Sequence, residues 1–161
     1  MWLSDRRALL AALAALPLAA CGFSPAYAPG GAGEALRGQV RAADPQHTRD
    51  FDFVAAFEER LGRPVAARYT LDYQISTFER GAAHVPGMGE TRISLFGTLS
   101  YTLTDIASGD VVTQGSLRNF TNYSTTDSQL ATRRAQEDAA ARLMRTLADQ
   151  VAARLMTALA E

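Results

Sequence analysis

Over residues 68–78 apolar and polar side chains alternate: Tyr69, Leu71, Tyr73 and Ile75 fall on one face, and Thr70, Asp72, Gln74 and Ser76 on the other. Successive side chains of a strand point to opposite faces, so this period of two predicts a half-buried strand. A second strand is expected over residues 92–104, where Ile93, Leu95, Leu99, Tyr101 and Leu103 oppose Ser94, Thr98, Ser100 and Thr102. Gly97 interrupts its apolar row and marks a bulge or a close backbone approach. Ser108-Gly109-Asp110 then turns the chain into a third strand over residues 111–122. A weaker alternation over residues 36–42, with Gly38 inside it, predicts a short first strand. The long strands are apolar on one side only, the pattern of an antiparallel sheet with one solvated face.

Two stretches follow a helical period instead. Phe53, Phe57 and Leu61 lie four apart with Val54 beside them, while Glu58, Glu59 and Arg60 face water, so a helix is expected over residues 50–61. Thr48 or Asp50 caps it, and Gly62 with Pro64 stops it. Leu143, Leu147, Val151, Leu155 and Leu159 recur every four residues beside Ala140, Met144, Ala148, Ala152 and Met156, predicting a long helix over residues 127–160. Met144 and Met156 read as core packing. The order strand, helix, three strands, helix predicts an α+β two-layer sandwich. Two helices pack on one face of a mainly antiparallel four-stranded sheet.

The first residues belong to neither pattern. Arg6 and Arg7 precede an apolar run over residues 8–20 that ends in small side chains, the layout of a secretory signal. Thirteen helical residues span about 20 Å, short of the roughly 30 Å hydrocarbon core, and Pro17 interrupts them. Leu18-Ala19-Ala20-Cys21-Gly22 resembles a bacterial lipobox, in which Cys21 becomes the first mature residue and carries a diacylglyceryl thioether. Each buried methylene contributes about 0.8 kcal/mol, so two or three chains give a stable anchor. By resemblance to the sorting rules of bacterial lipoproteins, Gly22 after the cysteine permits export to the outer membrane. The expected organisation is a signal peptide over residues 1–20, a lipidated tether rich in proline and glycine over residues 21–34, and one domain over residues 35–161.

Composition narrows the function classes. The chain has 161 residues, 47% of them hydrophobic and 20% charged, which suits one globular domain. All 16 basic residues are arginine, against 17 acidic ones, so a nucleic-acid partner is not expected. One cysteine and two histidines, His47 and His84, assemble no four-ligand zinc site. Gly87-Met88-Gly89 lacks the third glycine of a dinucleotide fingerprint, and no nucleophile elbow is present. The carboxylate pairs Glu58-Glu59 and Glu137-Asp138 read as solvated helix faces, and His47 and His84 as surface side chains. No enzyme, metal or cofactor is expected.

What remains is surface. Between Thr113 and Gln129 the side chains are mostly Ser, Thr, Asn and Gln, with Arg118 and Asp127 the only charges. A purely solvated surface usually carries more charge. Neutral hydrogen-bonding groups suit a polar, enclosing partner such as the lumen of a β-barrel; strand propensity plus a polar loop is the other reading. Arg80 and Arg92 bracket an expected loop over residues 81–89, and Arg133 and Arg134 open the long helix against its macrodipole. Guanidinium forks on a phosphorylated glycolipid are one account of these arginines, and ordinary solvated surface is the other.

The lipidated start Cys21-Gly22-Phe23-Ser24-Pro25-Ala26-Tyr27, the central strand pair, the polar segment over residues 119–126 and Glu137-Asp138-Ala139-Ala140-Ala141-Arg142-Leu143 together resemble the LPS-assembly lipoprotein family LptE in its alphaproteobacterial form. The resemblance implies a domain that plugs the outer-membrane β-barrel LptD, assists its assembly and binds lipopolysaccharide. It also implies lipid anchoring in the outer membrane, facing the periplasm and the barrel lumen. Basic residues at one end of the domain serve lipopolysaccharide in that family. The matching positions are Arg80, within Phe78-Glu79-Arg80-Gly81, and Arg133 or Arg134, with Arg92 kept beside them as a candidate. The alternative is an auxiliary lipoprotein of an ABC-type lipid transport system.

Overall fold

The structure, a computed structural model, describes residues 31–85 and 89–159. Its elements are α1 (Ala32–Leu36), β1 (Val40–Ala42), α2 (Thr48–Leu61), β2 (Tyr69–Val85), β3 (Gly89–Asp105), β4 (Val111–Ser124) and α3 (Gln129–Ala158). The sheet order is β1-β2-β3-β4, with β1 parallel to β2 and the other pairs antiparallel. The expected α+β architecture is present, with the helices packed on one sheet face.

The core follows from the periodicities. Leu71, Leu95, Leu99 and Leu103 from the sheet meet Phe53 and Phe57 from α2 and Leu143, Leu147 and Leu155 from α3, all essentially inaccessible to solvent. The Phe53 ring lies 4.7 Å from that of Tyr73, fixing α2 over β2. Met144 and Met156 are both buried. At Gly97 a Cβ would sit 3.0 Å from Leu143 Cδ2 and 3.3 Å from Leu147 Cδ1. The missing side chain is therefore what lets α3 approach β3. No register shift interrupts the pairing there.

Four expectations change. The first strand is only Val40–Ala42, because Leu36 closes the short helix α1, which begins inside the span expected to be tether. Gly38, at φ +68°, turns the chain between them, and its N–H donates to Leu61 O at 2.8 Å. The stretch 81–89, expected as a loop, is mostly strand: β2 runs to Val85 and β3 starts at Gly89. Backbone pairing continues without side-chain alternation, and register shifts beside Ala83 absorb the irregularity. Arg80 and Arg92 consequently sit within strands. At α2 the N-cap is His47 rather than Thr48 or Asp50. Asp50 Oδ2 reaches back to accept from the N–H groups of His47, at 2.9 Å, and Gln46, at 3.0 Å. At α3 the helix is Gln129–Ala158, and Ser128 Oγ accepts from Ala131 N–H at 3.4 Å.

Candidate functional site

Because the helices share one face of the sheet, the opposite face is left open. Even-numbered residues of β2, β3 and β4 line it, including Gln74, Ser76, Thr98, Ser100, Gln114 and Ser116, the polar set that the alternation places there. The register adds what the alternation does not show. Phe78, Phe96 and Phe120 pair directly across the three strands and form one row over this polar face. Ring centroids are 4.8 Å apart for Phe78 and Phe96, with planes 9° from parallel, and 5.6 Å apart for Phe96 and Phe120. Phe78 and Phe120 are each 56% exposed.

A contiguous aromatic row left in water costs free energy, and such patches mark interaction sites. The rings turn their faces toward one another, so the row presents mainly ring edges. The neighbouring cross-strand rows are Arg80, Ser94 and Asn122 on one side, and Ser76, Thr98 and Arg118 on the other. Ser94 Oγ donates to Asn122 Oδ1 at 2.6 Å. The only sequence signal for this row is that Phe78, Phe96 and Phe120 share the parity of the polar positions.

The expected arginines do not form one cluster. Arg80 is exposed on the open face beside Phe78, whereas Arg92 lines an open cleft between the end of β4 and α3 with Asn122, Ser124, Asp138 and Arg142. Arg133 and Arg134 are exposed near the start of α3, outside that cleft, and Arg134 Nη1 lies 3.7 Å from Glu137 Oε2. Arg142, not singled out from the sequence, is the second guanidinium of the cleft. It pairs with Asp138 and donates to the carbonyl of Asn122 at 3.2 Å. The spacing of Asp138 and Arg142, one helical turn apart, was the available signal. Cys21 lies outside the described residues. His47 starts α2, and His84 lies on β2.

Behind the cleft, Glu79 ties the hairpin to α3. Tyr123 Oη donates to Glu79 Oε2 at 3.2 Å, and Gln136 Nε2 donates to Glu79 Oε1 at 2.7 Å. Burial, reinforced by the Glu79 carboxylate, raises the Tyr123 hydroxyl above its ordinary pKa. At the opposite end, the hydrogen bond from Arg68 Nε, 3.1 Å from Asp105 Oδ2, holds that carboxyl below the usual range, helped by the Ala107 N–H. Among the described residues no group of three or more His, Cys, Asp or Glu side chains could hold a metal, and no helix is long and apolar enough to cross a membrane.

The two-layer sandwich is also the fold of a set of bacterial lipoproteins of known structure. A Caulobacter crescentus lipoprotein superposes with TM-score 0.68 at 20% identity, covering 80% of this chain and 96% of that one. Lipoprotein B of Nitrosomonas europaea gives 0.56 at 14% identity over 81% and 88% of the two chains. Rare lipoprotein B of Shewanella oneidensis gives 0.53 at 12% identity over 76% and 92%. At these identities the likeness is one of fold. No curated protein sequence matches the chain. The model of the LptE lipopolysaccharide-assembly family matches residues 27–155, and the chain belongs to that family. Of the two lipoprotein readings raised by the sequence, the match supports the first.

Proposed function

We propose that the protein is a lipid-anchored outer-membrane component of lipopolysaccharide assembly that seats its open sheet face against the lumen wall of an LptD-like β-barrel and binds lipopolysaccharide through arginines. Family membership supplies the process. The observation that carries the seating is the Phe78–Phe96–Phe120 row on an otherwise neutral polar face. Polar groups around an apolar centre repeat the anatomy of protein interfaces, where an aromatic core is ringed by hydrogen-bonding side chains. Ser, Thr, Asn and Gln lose little on burial once each finds a partner in a polar wall. Cys21, acylated, holds the domain at the membrane, and Arg80, Arg92, Arg133 and Arg134 offer forked donors to phosphate.

The test is a mild-detergent pulldown of the acylated protein, with mass analysis of its N-terminus. The expected result is an acylated Cys21 and a co-purifying large β-barrel, with recovery of the barrel reduced at least about tenfold by Phe78→Ser combined with Phe120→Ser, since central aromatic anchors carry most of an interface's energy. An unacylated N-terminus, or a protein recovered alone, overturns the proposal.

A further inference from the structure

The outer edge of β4 divides into a partly capped half and an open half. Thr125 N–H donates to Thr91 O at 3.1 Å, which, in the β3–β4 register, makes odd-numbered residues the ones bonded to β3. The N–H and C=O of even-numbered residues therefore point to the free edge. In the upper half two of these groups are occupied: Asn119 Oδ1 accepts from Phe120 N–H at 2.7 Å, and Arg142 Nη2 donates to Asn122 O at 3.2 Å. In the lower half, the outward N–H and C=O groups of Gln114, Ser116 and Arg118 have no partner among the described residues. An open edge is a template for another strand.

A groove runs beside this open half, lined by Ser116, Arg118, Gln150, Arg154 and Thr157. No carboxylate lines it, and neither Arg118 nor Arg154 forms an ion pair among the described residues. Arg118 comes from the open sheet face and Arg154 from α3, so the two cations flank the edge from opposite layers. A strand added here would send consecutive side chains to those two layers.

We propose that residues 114–118 of β4 accept a short extended acidic segment of a partner protein as a fifth strand. Gln114, Ser116 and Arg118 supply the main-chain hydrogen bonds, and Arg118 and Arg154 take adjacent acidic side chains of the guest. Main-chain pairing gives affinity in this mode, and side-chain contacts give selectivity. A second copy of this chain fits poorly. Two-fold pairing centred on Ser116 sets Arg118 opposite Gln114 of the other copy and brings no carboxylate to the groove, whereas an acidic guest matches both charges. The proposal does not depend on the lipopolysaccharide or barrel reading.

The test titrates the full chain in mild detergent with the peptide acetyl-Thr-Val-Asp-Glu-Val-Thr-amide, followed by amide NMR and hydrogen exchange. Shifts and slowed exchange are expected at Gln114, Ser116 and Arg118, with little change at Phe120 and Asn122. Arg154→Glu should weaken binding about tenfold or more, since losing and reversing a cation at a charge-matched contact costs on that scale. Ser116→Pro should abolish it while the melting temperature stays near that of the parent, because proline is tolerated where a strand N–H faces solvent. The same peptide with Asn and Gln in place of Asp and Glu should bind at least about tenfold more weakly. Absence of amide shifts, unchanged binding by Ser116→Pro, or inorganic phosphate reproducing the arginine shifts without the amide protection each overturns the proposal. So does a concentration-dependent dimer that Ser116→Pro dissolves, which assigns the edge to a second copy.

Discussion

Tyr73 shows how one side chain can record a compromise. Its ring is needed against Phe53, yet its hydroxyl is buried with no hydrogen-bond partner among the described residues, and burial, with Asp50 and Asp44 nearby, pushes its pKa from 10.0 to about 12. The folded state therefore holds the proton more tightly than the unfolded chain does. The associated stability is intact below pH 10 and is lost as pH rises toward about 12. Tyr73→Phe keeps the ring and deletes the partnerless hydroxyl, so it should leave stability at pH 7 unchanged or raised. It should also flatten the decline between pH 10 and about 12 in denaturant unfolding followed against pH. A parallel decline in both proteins would assign the alkaline loss to other groups. The sequence placed Tyr73 on the inner face through its alternation, but the isolation of its oxygen depends on neighbours from α2 and stays invisible until the layers pack.

At the level of elements, the contact between α3 and β3 is governed by the absence of a side chain at Gly97. Gly97→Val forces branched carbons against Leu143 and Leu147, and overpacking of this kind costs about 1–3 kcal/mol. Because the clash and the cavity share one site, combining it with Leu143→Ala should destabilise by less than the two single changes added together. Equilibrium unfolding of the four proteins checks this, and strict additivity would show that the helix does not rest on Gly97. The long strands and both long helices were legible because their apolar residues recur every two or four positions. β1 was legible as a short strand within residues 36–42, but neither its start at Val40 nor its parallel pairing, set by the α2 crossover, could be read. Residues 81–85 lack alternation altogether, and their strand is imposed by pairing with β3.

Taken whole, the molecule separates its candidate contacts by surface: an aromatic row on the open face, arginines toward the hairpin end, and an unpaired strand edge between the layers. Composition revealed the polar face but not the row, because Phe78, Phe96 and Phe120 are 18 and 24 residues apart and meet only through register. The arrangement of the candidate arginines emerges only when the layers pack: Arg92 and Arg142 line one cleft, whereas Arg80 does not enter it. If the proposed phosphate contacts hold, Arg80→Glu with Arg133→Glu should weaken binding to purified lipopolysaccharide at least about tenfold while far-UV circular dichroism is preserved. Unchanged binding removes those two positions from the assignment.

The parallel pairing of β1 with the first residues of β2 also fixes a polarity. The chain joins the sheet through β1 beside the start of β2, while Val85 and Gly89 lie at the far end of the hairpin, and α3 runs for 30 residues, about 45 Å. The apolar belt of an outer-membrane barrel is about 25 Å tall. If the proposed insertion along a barrel axis holds, a molecule of this length reaches beyond that belt. In that pose one pole projects past the belt, and the length of α3 sets how far.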